Sequence, residues 1–169
     1  MRLLVGFFLL LLGFPAQAFT FTAIDGATYD LDDWRGQPVL VVNTASLCGF
    51  TPQFADLQAL HERYAPRGLV VLAVPSDDFR QELDDDHAVE QYCRVELGVD
   101  VPLTRITPVT GPEAHPFYRW LAQEHGVEPT WNFNKALIGP DGSLLGFWGA
   151  TTRPTSGRMT QVIEAALPE

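Results

Sequence analysis

Positive charge, sulfur and long apolar runs are all scarce in this 169-residue chain. Ten arginines and a single lysine, Lys135, face 21 acidic side chains, a formal net charge of −10 at pH 7. Such a field repels polyanions, which excludes nucleic acid as a partner. Only two cysteines are present, Cys48 and Cys93. Disulfide exchange of the Cys-x-x-Cys type needs a second cysteine three positions after the first, and Thr51 stands there instead. Cys/His metal ligation lacks a partner too, since the nearest histidine to Cys48 is His61. Asp84 to Asp86 have no histidine or further carboxylate spaced to complete oxygen ligation, so they read as favourable charge at a helix N-terminus. Metal and cofactor are therefore both expected to be absent. No repeat, linker or low-complexity tract interrupts the chain. With 46% hydrophobic and 19% charged residues it reads as one globular domain.

The apolar run is confined to the start. Arg2 is followed by Leu3 to Phe14, then Pro15 and the small-residue stretch Ala16-Gln17-Ala18. A spanning helix needs about 20 apolar residues, so the pattern is that of a signal peptide and not of a stable membrane insertion. Residues 1–18 are expected to be cleaved after Ala18, leaving a domain over 19–169 that is periplasmic or secreted. No cysteine stands at the cut site to carry a lipid. An exporting compartment permits disulfides, which leaves Cys48–Cys93 pairing open as a structural bond.

What remains divides by periodicity. Phe19 to Leu31 carries Asp25-Gly26 between two short alternating runs, a hairpin signal. Pro38–Ser46 and Gly68–Ser76 are continuous valine-rich runs, as expected of strands covered on both faces. Between them Thr51 can cap a helix that Pro52 opens and that Phe54, Leu57, Leu60 and Tyr64 stripe. Val89, Cys93 and Leu97 share the face of another helix, and a further one is expected over His115–His125. Lys135–Gly149 reads as a second hairpin about Gly-Pro-Asp-Gly, and a closing helix from about Pro154 buries Met159, Val162, Ile163 and Ala166. Hairpin, β, α, β, α, helical stretch, hairpin, α predicts an α/β thioredoxin-like architecture: a mixed central sheet with helices on both faces and an N-terminal β-hairpin.

In that frame Cys48 lies between the end of a buried strand and the start of a helix, where ligands collect in open α/β sheets. Free N–H groups and the positive end of the helix dipole favour thiolate over thiol there. The placement points to a nucleophile. For Cys93 two readings stand: a small buried hydrophobe on a helix stripe, or a second redox thiol.

The segment Val41 to Pro75, "VVNTASLCGFTPQFADLQALHERYAPRGLVVLAVP", resembles the nucleophile block of the glutathione peroxidase family in its cysteine-containing bacterial form. "AHPFYRWL" and "WNFNKALIGPDGSL" resemble two further blocks in the same order, so the similarity covers nearly the whole of 19–169. The resemblance implies a thiol-dependent peroxidase acting on hydrogen peroxide or organic hydroperoxides. It makes Cys48 the peroxidatic residue and Trp131 and Asn132 two of its neighbours. The family's glutamine lies in a stretch Phe-Gly-x-Gln-Glu-Pro-Gly; here "PSDDFRQELDDD" is one residue shorter, lacks those glycines and carries Leu83 for proline. Gln81 is the natural match, with Asp77 or Asp78 facing the site as the alternative. Neutral amide and indole donors suit the chemistry, because they stabilise negative sulfur and polarise the O–O bond without adding fixed charge.

Cys93 falls in the region of the resolving cysteine of thioredoxin-dependent members. The expected cycle oxidises Cys48 to a sulfenic acid, resolves it with Cys93, with partial unfolding of residues 79–97 where the two Cα atoms start more than about 7 Å apart, and reduces the disulfide with a thioredoxin-like protein. Glutathione attacking directly is the alternative reductant. A non-catalytic exported binding module, or a redox sensor with a Cys48–Cys93 disulfide, is the alternative function. The segment between the last two blocks is short, so a monomer is expected.

Overall fold

The computed structural model describes residues 18–168; the expected signal peptide lies almost entirely outside the described residues. Its centre is strand β3 (Val39–Thr44), in which every residue is buried. Continuous burial follows from pairing on both edges and packing on both faces. β3 runs parallel to β4 (Val70–Pro75) and antiparallel to β5 (Lys135–Ile138), which in turn pairs with β6 (Leu144–Trp148) in the order β4-β3-β5-β6. The hairpin of β1 (Thr20–Thr22) and β2 (Thr28–Asp30) forms a separate two-stranded sheet, with Gly26 at φ +88° in its turn.

The period of two in β3 sorts the core into two layers. Leu40 and Val42 face α1 (Gln53–Tyr64), α2 (Asp86–Gln91) and α4 (Gly157–Ala166), packing with Leu57, Leu60, Val89, Met159 and Ile163. Val39 and Val41 face the hairpin and α3 (Pro116–His125), packing with Phe21, Phe117 and Leu121. Helices thus cover both faces, as expected. The stripe of α1 is fully used: Phe54, Leu57, Leu60 and Tyr64 are each at most 2% exposed. Burial of that extent is worth about 1.5–3 kcal/mol per side chain, so Leu57→Ala is the sort of change that loosens the helix. α3 opens on Pro116, is capped by His115 Nδ1 accepting from Phe117 N–H at 3.2 Å, and ends at Gly126 with φ +65°. The Gly-Pro-Asp-Gly turn closes the β5–β6 hairpin, with Gly139 N–H donating to Ser143 O at 2.8 Å.

Local expectations fail at three places, each for a visible reason. Thr51 does not cap α1, which begins at Gln53 without a side-chain cap; its hydroxyl turns back to Cys48, accepting from Cys48 N–H at 3.1 Å and lying 2.6 Å from Cys48 O. Leu97 leaves the stripe of Val89 and Cys93, because a π turn at Tyr92–Glu96 inserts one residue and closes with Leu97 N–H on Tyr92 O at 3.0 Å. The extra residue rotates the next turn by about 100°, and Leu97 ends 37% exposed while Cys93 is fully buried. The closing helix begins at Gly157, three residues later than expected, and its Val162 and Ala166 are only partly covered.

Asp85 caps α2, accepting from Ala88 N–H at 2.8 Å, while Asp86 accepts from Arg105 Nε and from Ile106 N–H. The acidic run therefore does helix-terminal and loop-tethering work. Among the described residues no helix is long and apolar enough to cross a membrane.

Candidate active site

Parallel β3 and β4 end at the same edge of the sheet, and antiparallel β5 begins there. Three connecting segments consequently meet: residues 45–52 after β3, 76–85 after β4, and 131–134 before β5. Cys48 sits in the first, 7% exposed and unpaired, with its sulfur accepting Phe50 N–H at 3.4 Å. Thr51 braces this loop, its hydroxyl lying within 3.2 Å of Ala45 O, Ser46 O and Cys48 O.

The third segment is held against the end of β3 by two asparagines that were not expected as site residues. Asn43 Nδ2 donates to Trp131 O at 2.9 Å, Asn43 Oδ1 accepts from Asn134 N–H at 3.0 Å, and Asn134 Nδ2 donates to Trp131 O at 2.6 Å. A polar residue inside the apolar run "VVNTAS" was the available signal, since a buried amide must be satisfied. Between them Phe133 carries a positive φ of 60°, fully buried and edge-on to Phe54 at 5.4 Å. This left-handed residue lets Trp131 and Asn132 point one way while Asn134 and Lys135 enter the sheet.

The second segment closes on both others. Leu47 N–H donates to Gln81 O at 2.8 Å, Ser46 N–H donates to Glu82 Oε1 at 3.0 Å, and Asn132 Nδ2 donates to Gln81 Oε1 at 3.1 Å. Phe79 packs against Trp131 with ring centroids 5.4 Å apart, and Trp131 stays 40% exposed at the rim. The shortened loop reaches this position because Arg80 takes a left-handed backbone, φ 57°, in the stretch where the family resemblance leads one to expect glycine. Of the alternatives, Asp78 is spent elsewhere, its Oδ2 accepting from Val109 N–H, Thr110 N–H and Thr110 Oγ1. Asp77 Oδ1 accepts from Glu82 N–H. Gln81 is therefore the residue of this loop whose side chain meets Asn132.

Two titratable groups lie beneath the site. Burial pushes the Cys93 thiol up to about 12, with the nearby Glu82 charge adding to the effect and Arg94 opposing it. Burial also raises the Glu82 carboxyl, against hydrogen bonds from Ser46 and Leu83 that favour its ionised form. The only lysine is buried: Lys135 Nζ donates to Gln53 Oε1 at 2.6 Å and Thr152 O at 2.7 Å, and burial lowers it to about 8. Among the described residues no group of three or more His, Cys, Asp or Glu side chains could hold a metal ion.

The family model of glutathione peroxidase matches residues 16–122. The chain belongs to the glutathione peroxidase family. It is a peroxidase. It is 37% identical over 147 residues to "Hydroperoxy fatty acid reductase gpx1" of Synechocystis, covering 80% of this chain and 87% of that protein. It is 43% identical over 130 residues to human "Glutathione peroxidase 7", covering 76% and 70%. Against the yeast "Glutathione peroxidase-like peroxiredoxin HYR1" the identity is 33% over 152 residues, covering 85% and 91%. The solved apo form of Trgpx superposes with a TM-score of 0.67 at 31% identity, over 89% of this chain and 96% of that one. A thiol:disulfide interchange protein of the thioredoxin family from Chlorobium tepidum superposes with a TM-score of 0.68 at 16% identity, over 91% and 96%, a likeness of fold alone. The thioredoxin-like architecture and the membership read from the three sequence blocks both stand, and the family's peroxidase chemistry is thiol-dependent.

Proposed function

We propose that Cys48 is the peroxidatic nucleophile and that Gln81, Trp131 and Asn132 are its donors. The observation that carries this reading is the convergence of three distant segments at the end of β3, sealed by the Asn132–Gln81 and Leu47–Gln81 hydrogen bonds. With Oε1 of Gln81 taken by Asn132, its Nε2 is the end left to donate. The Cys48 thiolate attacks the outer peroxide oxygen, the O–O bond breaks, and Cys48 becomes a sulfenic acid while the alkoxide or hydroxide takes a proton to leave as alcohol or water. Neutral donors at the sulfur and the leaving oxygen lower this barrier.

Cys93 then attacks the sulfenic sulfur, giving a Cys48–Cys93 disulfide and water. A thioredoxin-like dithiol protein reduces that bond. Full burial of Cys93 means that α2 and the π turn must open first, and the π turn, with Val95 exposed in it and Leu97 exposed directly after it, supports opening there. The same burial favours the second reading, in which glutathione or another small thiol attacks the sulfenic acid directly. The protein is proposed to be a monomer exported after cleavage behind Ala18; N-terminal sequencing of the extracytoplasmic fraction checks the latter. For the chemistry, Cys48→Ser must abolish peroxide consumption. One equivalent of peroxide followed by non-reducing mass spectrometry should yield the internal disulfide. Persistent sulfenic acid with free Cys93 would transfer the cycle to the small-thiol route.

A further inference from the structure

Glu82 is buried, 8% exposed, and no lysine or arginine pairs with it among the described residues. A carboxylate in that setting costs the fold stability, so packing alone does not account for it. Its Oε1 accepts two main-chain bonds at once, from Ser46 N–H at 3.0 Å and from Leu83 N–H at 2.9 Å. Ser46 stands two residues ahead of Cys48. The adjoining residue makes the companion link, Gln81 O accepting from Leu47 N–H at 2.8 Å. Two consecutive residues of the 76–85 segment are thus fastened to the two residues that precede the nucleophile.

We propose that Glu82 is a positioning residue for the peroxide step, clamping the Gln81 segment onto the Cys48 loop so that the Gln81 amide keeps its place beside Asn132. This rests on the reading of Gln81 as a donor. The need for a clamp is local: Arg80, directly before Gln81, holds a left-handed backbone conformation that costs an L-residue energy, and released, the segment would relax away. A displacement of about 1 Å at a donor is enough to cost a reaction up to about a hundredfold.

The test measures sulfenic acid formation at Cys48 by rapid quench, in a Cys93→Ser background so that resolution does not contribute. E82A should slow the step about tenfold or more at a temperature well below its unfolding transition. E82Q should restore most of that loss, because one amide oxygen can accept both N–H groups that Oε1 accepts now. E82D, which keeps the charge but shortens the reach, should be slow; it serves where E82A fails to fold. Q81A/E82A should be no slower than Q81A, since a clamp has nothing to hold once its cargo is gone. E82D as fast as the parent, or losses that multiply in the double variant, overturn the proposal. If Q81A alone reacts at the parent rate, the donor reading of Gln81 falls instead, and the clamp with it.

Discussion

Alkylating the reduced native protein at about pH 8 should separate its two thiols by chemistry as well as access. Cys93 is fully buried in the cluster that holds Val89, Val99 and Val101, and its thiol is pushed from 9.0 to about 12. That rise corresponds to about 4 kcal/mol against ionisation, so at about pH 8 the thiolate fraction drops from about one in ten to about one in ten thousand. Iodoacetamide reacts with thiolate, and Cys93 is expected to label about a thousandfold more slowly in the folded protein than in denaturant. Peptide-level mass spectrometry over a time course reads both rates. A native rate within about tenfold of the denatured one would refute the reasoning, by showing that the helix around Cys93 opens for about 1.4 kcal/mol or less. The same shift has a thermodynamic face. Because the folded chain holds this proton more tightly than the unfolded one, stability is unaffected below 9.0 and falls as pH rises from there towards about 12. Cys93→Ala should lack that decline.

Three other outcomes rest on particular contacts. Asn132→Ala removes the donor on Gln81 Oε1 and frees the amide to turn, so the peroxide step should slow by about tenfold to a hundredfold while the fold is kept, read by rapid quench and circular dichroism. Burial raises the Glu82 carboxyl, so its ionised form costs stability above the folded pKa, and the cost fades as pH falls from there towards the ordinary value of 4.5. Glu82→Gln should therefore raise the Tm near neutral pH, with the gain fading in acid, and a gain that persists in acid would refute the assignment. Arg80→Gly relieves a left-handed residue at φ 57° and should stabilise the folded chain by up to about 1 kcal/mol, measured by urea unfolding.

Much of the fold was legible because its signals are local. The valine-rich runs became β3 and β4, the four-residue stripe became the buried side of α1, and Asp25-Gly26 and Gly-Pro-Asp-Gly became hairpin turns. Thr51 misled because a threonine before a proline suits a helix cap by propensity, whereas the Cys48 loop offered its hydroxyl three carbonyls within 3.2 Å. Leu97 misled because a spacing of four assumes an uninterrupted α-helix, and nothing in "YCRVE" announces a π turn. The grip of Asn43 on Trp131 and Asn134 joins residues some ninety positions apart, beyond any window of periodicity.

By itself the sequence determined the chemistry available and the order of its parts: one cysteine at a strand-to-helix junction, no Cys-x-x-Cys partner, and a Trp-Asn pair ahead of a late strand. These are matters of residue type and short spacing, which backbone periodicity and donor chemistry make readable. Only the tertiary structure decided which members of the 77–82 run face the site, turning Asp78 to residues 109 and 110 and Gln81 to Asn132. It alone sealed Cys93 in the core and fastened Glu82 to Ser46. Those outcomes depend on which buried donors and acceptors meet when three loops from separate strands are packed together, and that pairing exists only once the sheet has brought their ends to one edge.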